Sequence, residues 1–500
     1  MTRRRIFGLA ALAVGFALAA AGAEPAVAGG APAPSLRLFV AQSHIKLARY
    51  PHSPVFLDVG AYLASVGGAF QIDVTRANYL QPIEAAQIVT AGGGTQVIPL
   101  PDGLVKNWNG LPWFLRIDVN DAHGALVATR HVTFCPDGFD QERVNSTGPA
   151  NPTFPQFCGN NPFTLGMVWG IDNGWAVNPL SSAPRPPFVR LADGTYTVHL
   201  SINPTYVRLF GIAPADAQAT VSATVRTSKN FCITICPKRG EHHAGTSAGP
   251  EPNVPTISSP ALSTQPDLVA LPAWGISTER QGKRDYLDFG ATVWDRGPAP
   301  LVVEGFRRPN SSVMDAWQYF YDPSGAIVGR AKVGTLKYDA KPGHEHWHFQ
   351  QFATYQLLDK NKTGIVYSDK TGFCLAPTDA IDLTVTGAVW NPGTLGFGGT
   401  VCGSQNSIWT REALPTGWGD TYFQGLPGQS FDITHLPNGT YFIAVKANPM
   451  GSLFERTTTN DIRYRRVILG GKPGARTVKV PPWNGINSEG GGGGIFPAHA

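Results

Sequence analysis

The chain has 500 residues, which is too many for one ordinary hydrophobic core, so two or more domains are expected. Its 40 lysine and arginine residues exceed its 35 acidic residues by only 5, and no dense basic block is present. This charge balance argues against binding to nucleic acids or other polyanions.

The first 28 residues have the order of a secretory signal peptide. Arginines at 3–5 precede an apolar run at 6–20, and small residues follow, with cleavage expected after Ala23 or Ala28. The run is shorter than the roughly 20 residues that span a bilayer, although an uncleaved anchor is the alternative. No later segment is long and apolar enough to cross a membrane. We therefore expect a secreted, extracellular protein without a membrane span.

Six cysteines in an exported chain favour disulfides. Sequence alone permits many pairings, but the cysteines fall into three couples that are close along the chain. The predicted bonds are Cys135–Cys158, Cys232–Cys236 and Cys374–Cys402. For the middle couple, zinc binding together with His242 and His243 is the alternative.

Short β-branched and aromatic stretches alternate with turns rich in glycine and proline. They predict strands at Thr195–Ile202, Tyr286–Trp294, Thr354–Leu358 and Thr440–Lys446. Residues 237–262 lack apolar periodicity and have the composition of a linker, whereas the glycine-rich tail 483–500 is predicted to be disordered. The expected fold class is all-β, with two tandem β-sandwich-like domains, 35–230 and 263–470, joined by the Pro/Gly/Ser-rich linker.

The two halves share five sequence landmarks in the same order. These are a Phe-to-Asp strand, a Phe-Cys pair, Gly-Trp, a Leu-x-x-Gly-Thr-Tyr run and Asn-Pro. They lie at 114–121, 134–135, 174–175, 191–196 and 203–204 in the first half and at 352–359, 373–374, 417–418, 436–441 and 448–449 in the second. Recurrent strand-turn-strand patterns are the alternative, but a duplicated sandwich explains the order better.

The densest group of metal-binding side chains is His344, His346 and His348. Side chains two positions apart on a strand point to the same face, so the three imidazoles are predicted to share one face. Imidazole suits copper, zinc and iron, and a three-histidine site leaves positions open for O2 or water. Adjacent same-face positions are about 6.5 Å apart, so convergence on one ion needs a bend or twist. A polar surface strand without a metal is the alternative.

A series of ordered motifs around the histidines resembles the lysyl oxidase family over about residues 262–470. The motifs are Pro266-Asp267-Leu268-Val269, His-x-His-x-His, Phe352-x-x-Tyr355-x-Leu-Leu-Asp359, Asp369-Lys370-x-x-Phe373-Cys374-Leu375, Gly417-x-x-Asp420-Thr421-Tyr422, Asp432-Ile433-Thr434, and Asn448-Pro449 followed by Glu455 and Asn460. The resemblance implies that the three histidines bind copper.

The resemblance also implies a built-in cofactor, lysine tyrosylquinone, formed from Lys370 and Tyr422. An enzyme of this kind converts primary amines, such as lysyl side chains or small amines, to aldehydes with O2, and releases hydrogen peroxide and ammonia. A carboxylate or histidine near the cofactor would act as the general base. Asp369 and Asp420 adjoin the precursor residues, and the sequence does not choose between them.

Some members of the family also bind calcium through oxygen ligands. The implied ligands here are Asp267, the Leu268 carbonyl, Glu455, Asn460 and Asp461. Thr457 stands where the family has a carboxylate and Asp461 where it has an asparagine, so the implied site is altered.

The first half lacks the chemical residues of the second. The segment 106–111 holds no histidine where the copper ligands would lie, and His131 and Pro179 match the positions of Lys370 and Tyr422. We interpret the first half as a degenerate copy that serves as a structural or substrate-binding module.

Two other functions compete with a secreted copper-dependent amine oxidase. One is a non-catalytic extracellular β-sandwich protein that binds a wall or matrix, and the other is a zinc or copper hydrolase. A hydrolase would not explain the presence of Lys370 and Tyr422. A non-catalytic second half would have no reason to retain the three histidines together with this lysine and tyrosine. The amine oxidase is therefore favoured, without a choice between protein and small-amine substrates.

Overall fold

A computed structural model describes residues 34–91, 93–159, 161–228, 251, 253–341, 345–350, 352–370, 372–394 and 400–489. The predicted signal peptide, Cys232–Cys236, His344 and most of the predicted linker lie outside the described residues. Nearly all of the regular secondary structure in the described residues is β-strand, so the all-β prediction is confirmed. In this part of the chain no helix is long and apolar enough to cross a membrane.

The described residues of the first half form strands of two to ten residues and one short helix. The strands are β1 Ser35–Val40, β2 His44–Arg49, β3 Val55–Phe56, β4 Ala61–Val66, β5 Phe70–Thr75, β6 Glu84–Ala91, β7 Gly94–Pro99, β8 Leu111–Asn120, β9 Leu126–Phe134, β10 Gln141–Arg143, β11 Gly166–Ile171, β12 Trp175–Val177, β13 Phe188–Val189, β14 Gly194–Ile202 and β15 Gln218–Thr227. Helix α1, Pro204–Leu209, begins after the N-cap Asn203, whose side chain accepts the Thr205 N–H.

The second half continues the same pattern of short, turn-bounded strands. They are β16 Leu268–Ala270, β17 Trp274–Gln281, β18 Arg284–Asp295, β19 Leu301–Arg307, β20 Val313–Tyr321, β21 Ile327–Asp339, β22 His346–Phe349, β23 Ala353–Leu358, β24 Gly364–Tyr367, β25 Asp379–Ala380, β26 Trp409–Leu414, β27 Trp418–Tyr422, β28 Ser430–Asp432, β29 Gly439–Ala447, β30 Ile462–Lys472 and β31 Ala475–Lys479. Short 3-10 turns lie at Pro214–Asp216, Leu262–Thr264 and Pro392–Thr394. The four strands predicted by name lie within β14, β18, β23 and β29, which confirms them.

Three sheets of the first half recur in the second with the same strand order. The order β9-β8-β14-β15 corresponds to β24-β23-β29-β30, β1-β4-β12-β10 to β16-β18-β27-β25, and β11-β5-β6-β7 to β26-β19-β20-β21. A local detail repeats as well, because the hydroxyls of Tyr196 and Tyr441 donate to the carbonyls of Ala192 and Pro437, each four residues earlier. These correspondences agree with an internal duplication.

The halves are packed together rather than separated. One cluster of buried apolar side chains includes residues of both, from Leu36 to Leu469. Burial of this kind is the main stabilising term of a fold, at roughly 25 cal/mol per Å² of apolar surface. A division into two independent domains is therefore not confirmed within the described residues.

Two of the predicted disulfides, Cys135–Cys158 and Cys374–Cys402, are formed, which confirms them. The described end of the predicted linker packs on the second half, where the Ile257 N–H donates to the Arg330 carbonyl at 2.9 Å. In the predicted tail, Glu489 accepts the Ile276 N–H at 2.5 Å, and residues 490–500 lie outside the described residues.

A buried ion network joins the linker end to the sheet of β19 and β26. The Nη2 atom of Arg411 donates to Glu251 at 2.6 Å and to Glu304 at 2.7 Å. Arg411 is 1% exposed and Glu304 is 0% exposed. Burial raises the pKa of Glu304, and the charge of Arg411 opposes that rise. The single positive charge of Arg411 is therefore shared between two carboxylates inside the protein.

Candidate active site

Strand β22 carries two of the three predicted copper ligands. It pairs with β21, so that His346 lies opposite Asp339 and His348 opposite Lys337. The Nε2 atoms of His346 and His348 are 2.9 Å apart, so the two rings meet on one face as their spacing predicted. His348 is buried, and its Nδ1 atom lies 3.8 Å from the Asp339 carboxylate. A carboxylate on this side favours a proton on Nδ1 and leaves Nε2 for a metal.

The separation of the two imidazole nitrogens fits a shared metal ion. Two nitrogens bound at a right angle with bonds of about 2.0–2.1 Å lie about 2.9 Å apart, and square-planar nitrogen ligation is typical of Cu(II). Among the described residues no group of three His, Cys, Asp or Glu side chains is placed to hold a metal. The third predicted ligand, His344, is not one of the residues that the structure describes.

The opposite face of β22 is fixed by Trp347, which is fully buried. Its Nε1–H donates to the Ser404 carbonyl at 2.9 Å, and its backbone N–H donates to the Cys402 carbonyl at 2.9 Å. Because Cys402 is bonded to Cys374, the histidine strand is anchored to the segment that follows Lys370.

Lys370 and Tyr422, which are remote in sequence, are brought together. The Lys370 Nζ atom lies 4.0 Å from the centroid of the Tyr422 ring, and Lys370 is 5% exposed. The Tyr422 hydroxyl accepts the Cys374 N–H at 2.9 Å and donates to the Cys374 carbonyl at 3.3 Å. The ring of Phe373 packs edge-on against Tyr422, with ring centroids 5.0 Å apart. The amine is thus held over the ring that it is predicted to modify.

Burial changes the acidity of both precursor residues. It lowers the pKa of Lys370 to about 8, although the charge of Asp420 opposes this shift. Burial also raises the pKa of Tyr422, and Asp420 raises it further. Lys370 therefore reaches its neutral, nucleophilic form at a lower pH than an exposed lysine does.

The two candidate bases occupy different environments. Asp420 is 2% exposed, and its Oδ2 atom has no hydrogen-bond partner among the described residues. Burial raises the pKa of Asp420, and the charge of Lys370 opposes the rise. Asp369 instead is exposed at the edge of a cavity of about 200 Å³ that His348 and Lys370 also line. Of the two candidate bases, Asp420 is thus the one whose charge interacts with both Lys370 and Tyr422.

Glu412 is a site residue that the sequence did not identify. Its side chain is 0% exposed, and its two oxygens accept the Phe349 N–H at 3.1 Å and the Leu375 N–H at 3.0 Å. Phe349 follows His348, and Leu375 follows Cys374, so one carboxylate ties the histidine strand to the segment that holds Tyr422. No local motif marks it, because both partners are backbone groups distant in sequence.

The residues implied for calcium come from two segments of the second half, around β16 and just before β30, and lie close together. The Asn460 amide donates to Asp267 at 2.8 Å, and Glu455 accepts the Leu268 N–H at 3.2 Å. The Oδ1 atoms of Asn460 and Asp461 are buried and lack a hydrogen-bond partner in the described part of the chain. Burial and neighbouring carboxylates raise the pKa of Glu455 to about 7 and that of Asp461 to about 6. Buried side-chain oxygen atoms without hydrogen-bond partners are suited to bind a hard divalent cation.

Residues 329–475 match the family model described as lysyl oxidase. The matched range begins within β21 and ends at the start of β31, so it contains β22, Lys370 and Tyr422. No curated protein matches the chain. The C-terminal part of the chain therefore contains a match to the lysyl oxidase family domain.

Proposed function

We propose that this protein is a secreted copper-dependent amine oxidase. It would oxidise primary amines, either lysyl side chains or small amines, to aldehydes with O2, and release hydrogen peroxide and ammonia. The observation that carries the proposal is the position of the Lys370 amine, 4.0 Å from the centre of the Tyr422 ring. His348 and Lys370 also line one cavity. The signal-like N-terminus and two disulfides support export.

Each residue of the site has a proposed part. His346 and His348, with His344 as the third ligand, would hold copper, and Lys370 and Tyr422 would form lysine tyrosylquinone. When present, these groups supply a carbonyl electrophile and electron transfer to O2. The backbone of Cys374 keeps the Tyr422 ring oriented through its hydroxyl.

We propose Asp420 rather than Asp369 as the residue that accepts the proton from the substrate. Its unpartnered Oδ2 atom is available for a proton, and its raised pKa makes it a stronger base than an exposed carboxylate. Asp369 instead is exposed to solvent, away from the buried surroundings of Lys370 and Tyr422.

Peptide mass spectrometry after copper-supplemented expression tests the proposal. We expect a covalent peptide pair that joins Lys370 to Tyr422, and its loss when copper is withheld by a chelator during expression. A copper-bound protein without this crosslink would favour the alternative of a non-catalytic extracellular β-sandwich that binds a wall or matrix.

The rate of crosslink formation is expected to depend on pH through Lys370. Since its pKa is lowered to about 8, the neutral amine is lost as the pH falls, by about tenfold for each unit below that value. Stopped samples across about pH 6 to about pH 9, analysed by mass spectrometry, measure this rate. Copper content is measured at each pH, because protonated imidazoles release metals. A rate that does not change over this range would contradict the assignment of Lys370 as the nucleophile.

We propose calcium binding at Asp267, Glu455, Asn460, Asp461 and the Leu268 carbonyl. Calcium should raise the melting temperature of the protein, because a ligand that binds only the folded state stabilises it. Asp267→Asn is expected to remove most of this rise. The control Asp315→Asn changes a carboxylate that pairs with Arg308 and Lys332 elsewhere and should retain it. An equal rise in both variants would exclude this site.

A further inference from the structure

A chain of buried hydrogen bonds runs from the first half of the protein to the strand of Tyr422. The Asn161 Nδ2–H donates to Thr292 Oγ1 at 3.0 Å, and Thr292 Oγ1 lies 2.7 Å from Thr421 Oγ1. The exposed fractions of Asn161, Thr292 and Thr421 are 1%, 0% and 4%. Thr421 immediately precedes Tyr422 on β27, so the chain ends one residue from the predicted cofactor.

The direction of the hydrogen bond between Thr292 and Thr421 follows from the number of donors that surround the Thr292 hydroxyl. Thr292 Oγ1 also lies within 3.4 Å of Trp274 Nε1, which can only donate. With bonds from Asn161 and Trp274 accepted on its two lone pairs, the Thr292 hydroxyl must donate its own proton to Thr421. Asn161, which lies in the first half, thus orients the hydroxyl of Thr292 in the second half. The Thr292 hydroxyl in turn holds the side chain of Thr421.

The backbone of the first half supports the same strand from a second direction. The Leu165 N–H donates to the Ile381 carbonyl at 2.6 Å, and Thr164 Oγ1–H donates to the Ala380 carbonyl at 3.0 Å. Ala380 belongs to β25, which pairs directly with β27 opposite Trp418. The segment 161–166 of the first half therefore lies behind the strand of Tyr422.

We propose that the first half is a positioning module for the strand of Tyr422, and that Asn161 is its positioning residue. The degenerate copy supplies no chemical group to the reaction. It holds β27 so that the Tyr422 ring stays under the Lys370 amine. The expected effect of Asn161 on formation of the Lys370–Tyr422 crosslink rests on the proposed function. Its expected effect on the position of β27 does not.

Hydrogen exchange of the full-length, copper-free protein, followed by mass spectrometry, tests the positioning directly. In Asn161→Ala we expect the amides of residues 418–422 to exchange about tenfold faster than in the unchanged protein, because the buried hydrogen bond to Thr292, whose hydroxyl holds Thr421, is lost. The matched control is Asn178→Ala. Asn178 is also buried, but its amide donates to Asp58 within the first half. That variant should leave exchange at 418–422 unchanged.

A pair of variants at Thr292 decides the question if Asn161→Ala does not fold. Thr292→Val removes the hydroxyl link and should speed exchange at 418–422, whereas Thr292→Ser keeps the hydroxyl and should restore slow exchange. Unchanged exchange in Asn161→Ala, or in Thr292→Val where Asn161→Ala does not fold, would overturn the proposal.

Crosslink formation after copper addition provides a second measurement. We expect Asn161→Ala to form the Lys370–Tyr422 crosslink about tenfold more slowly, with copper content equal to that of the unchanged protein. If the unchanged protein forms no crosslink, the proposed function fails, and the exchange rates alone still decide whether Asn161 positions the strand.

Discussion

In the Tyr422→Phe variant we expect no crosslink to Lys370 and no oxidation of primary amines. A phenylalanine ring lacks the hydroxyl from which a quinone carbonyl forms, and it also loses both hydrogen bonds to Cys374. The loss of activity should be complete to the limit of a peroxide-release assay, since the carbonyl carries the covalent step. Peptide mass spectrometry and peroxide release measure the two consequences.

Tyr441→Phe is the matched control for this variant. The Tyr441 hydroxyl also donates to a backbone carbonyl, that of Pro437, at 2.7 Å, but its ring lies on β29. The control should keep both the crosslink and the activity. Amine oxidation that survives in Tyr422→Phe would show that another group carries the chemistry, and copper content would distinguish a lost metal from a lost cofactor.

Replacement of Arg411 by methionine should lower the free energy of unfolding by about 3–5 kcal/mol. The variant leaves the fully buried Glu304 without its charge partner, and Glu251 loses the same guanidinium. Because burial already raises the pKa of Glu304 and Arg411 opposes this, removal of Arg411 should raise that pKa further. Protonation then relieves the buried charge, so the deficit should be largest at neutral pH and shrink as the pH falls. Denaturant unfolding at two pH values measures both effects.

Arg284→Met serves as the control for charge removal at the surface. Arg284 pairs with Asp432 at 3.2 Å, but its side chain is 66% exposed, so solvent replaces the interaction. The free energy of unfolding should change little in this variant. Equal decreases in the free energy of unfolding in Arg411→Met and Arg284→Met would mean that the buried network does not stabilise the fold as expected.

The features that sequence predicted are those whose cause is local. The strands at Thr195–Ile202 and Thr440–Lys446 follow from β-branched residues and flanking turns, and both lie within observed strands. His346 and His348 share a face because a strand alternates its side chains, whatever the rest of the fold does. The pair Lys370 and Tyr422 came from the resemblance to a family, and no spacing rule gives their 4.0 Å approach.

The features that sequence did not predict depend on groups that are far apart along the chain. Glu412 was missed because it binds two backbone N–H groups, which carry no residue identity. The charges of Arg411 and Glu304 gave no signal of burial, since either residue type is usually exposed. The contact of Asn161 with Thr292 needs the two halves to be docked, and the sequence predicted a linker between them rather than an interface.

The disulfide Cys374–Cys402 has a consequence for the order in which the protein matures. One of its cysteines holds the hydroxyl of Tyr422, and the other holds the backbone of Trp347 between the two histidines. If the proposed function is correct, Tyr422 and the histidine strand are held in their relative positions only after this disulfide has formed. Biogenesis would then be sequential, with oxidative folding outside the reducing cytosol first and self-processing of the precursor afterwards. On the same proposal, precursor retained inside the cell would stay chemically inert, and the producing cell would be protected from hydrogen peroxide until the enzyme has been exported.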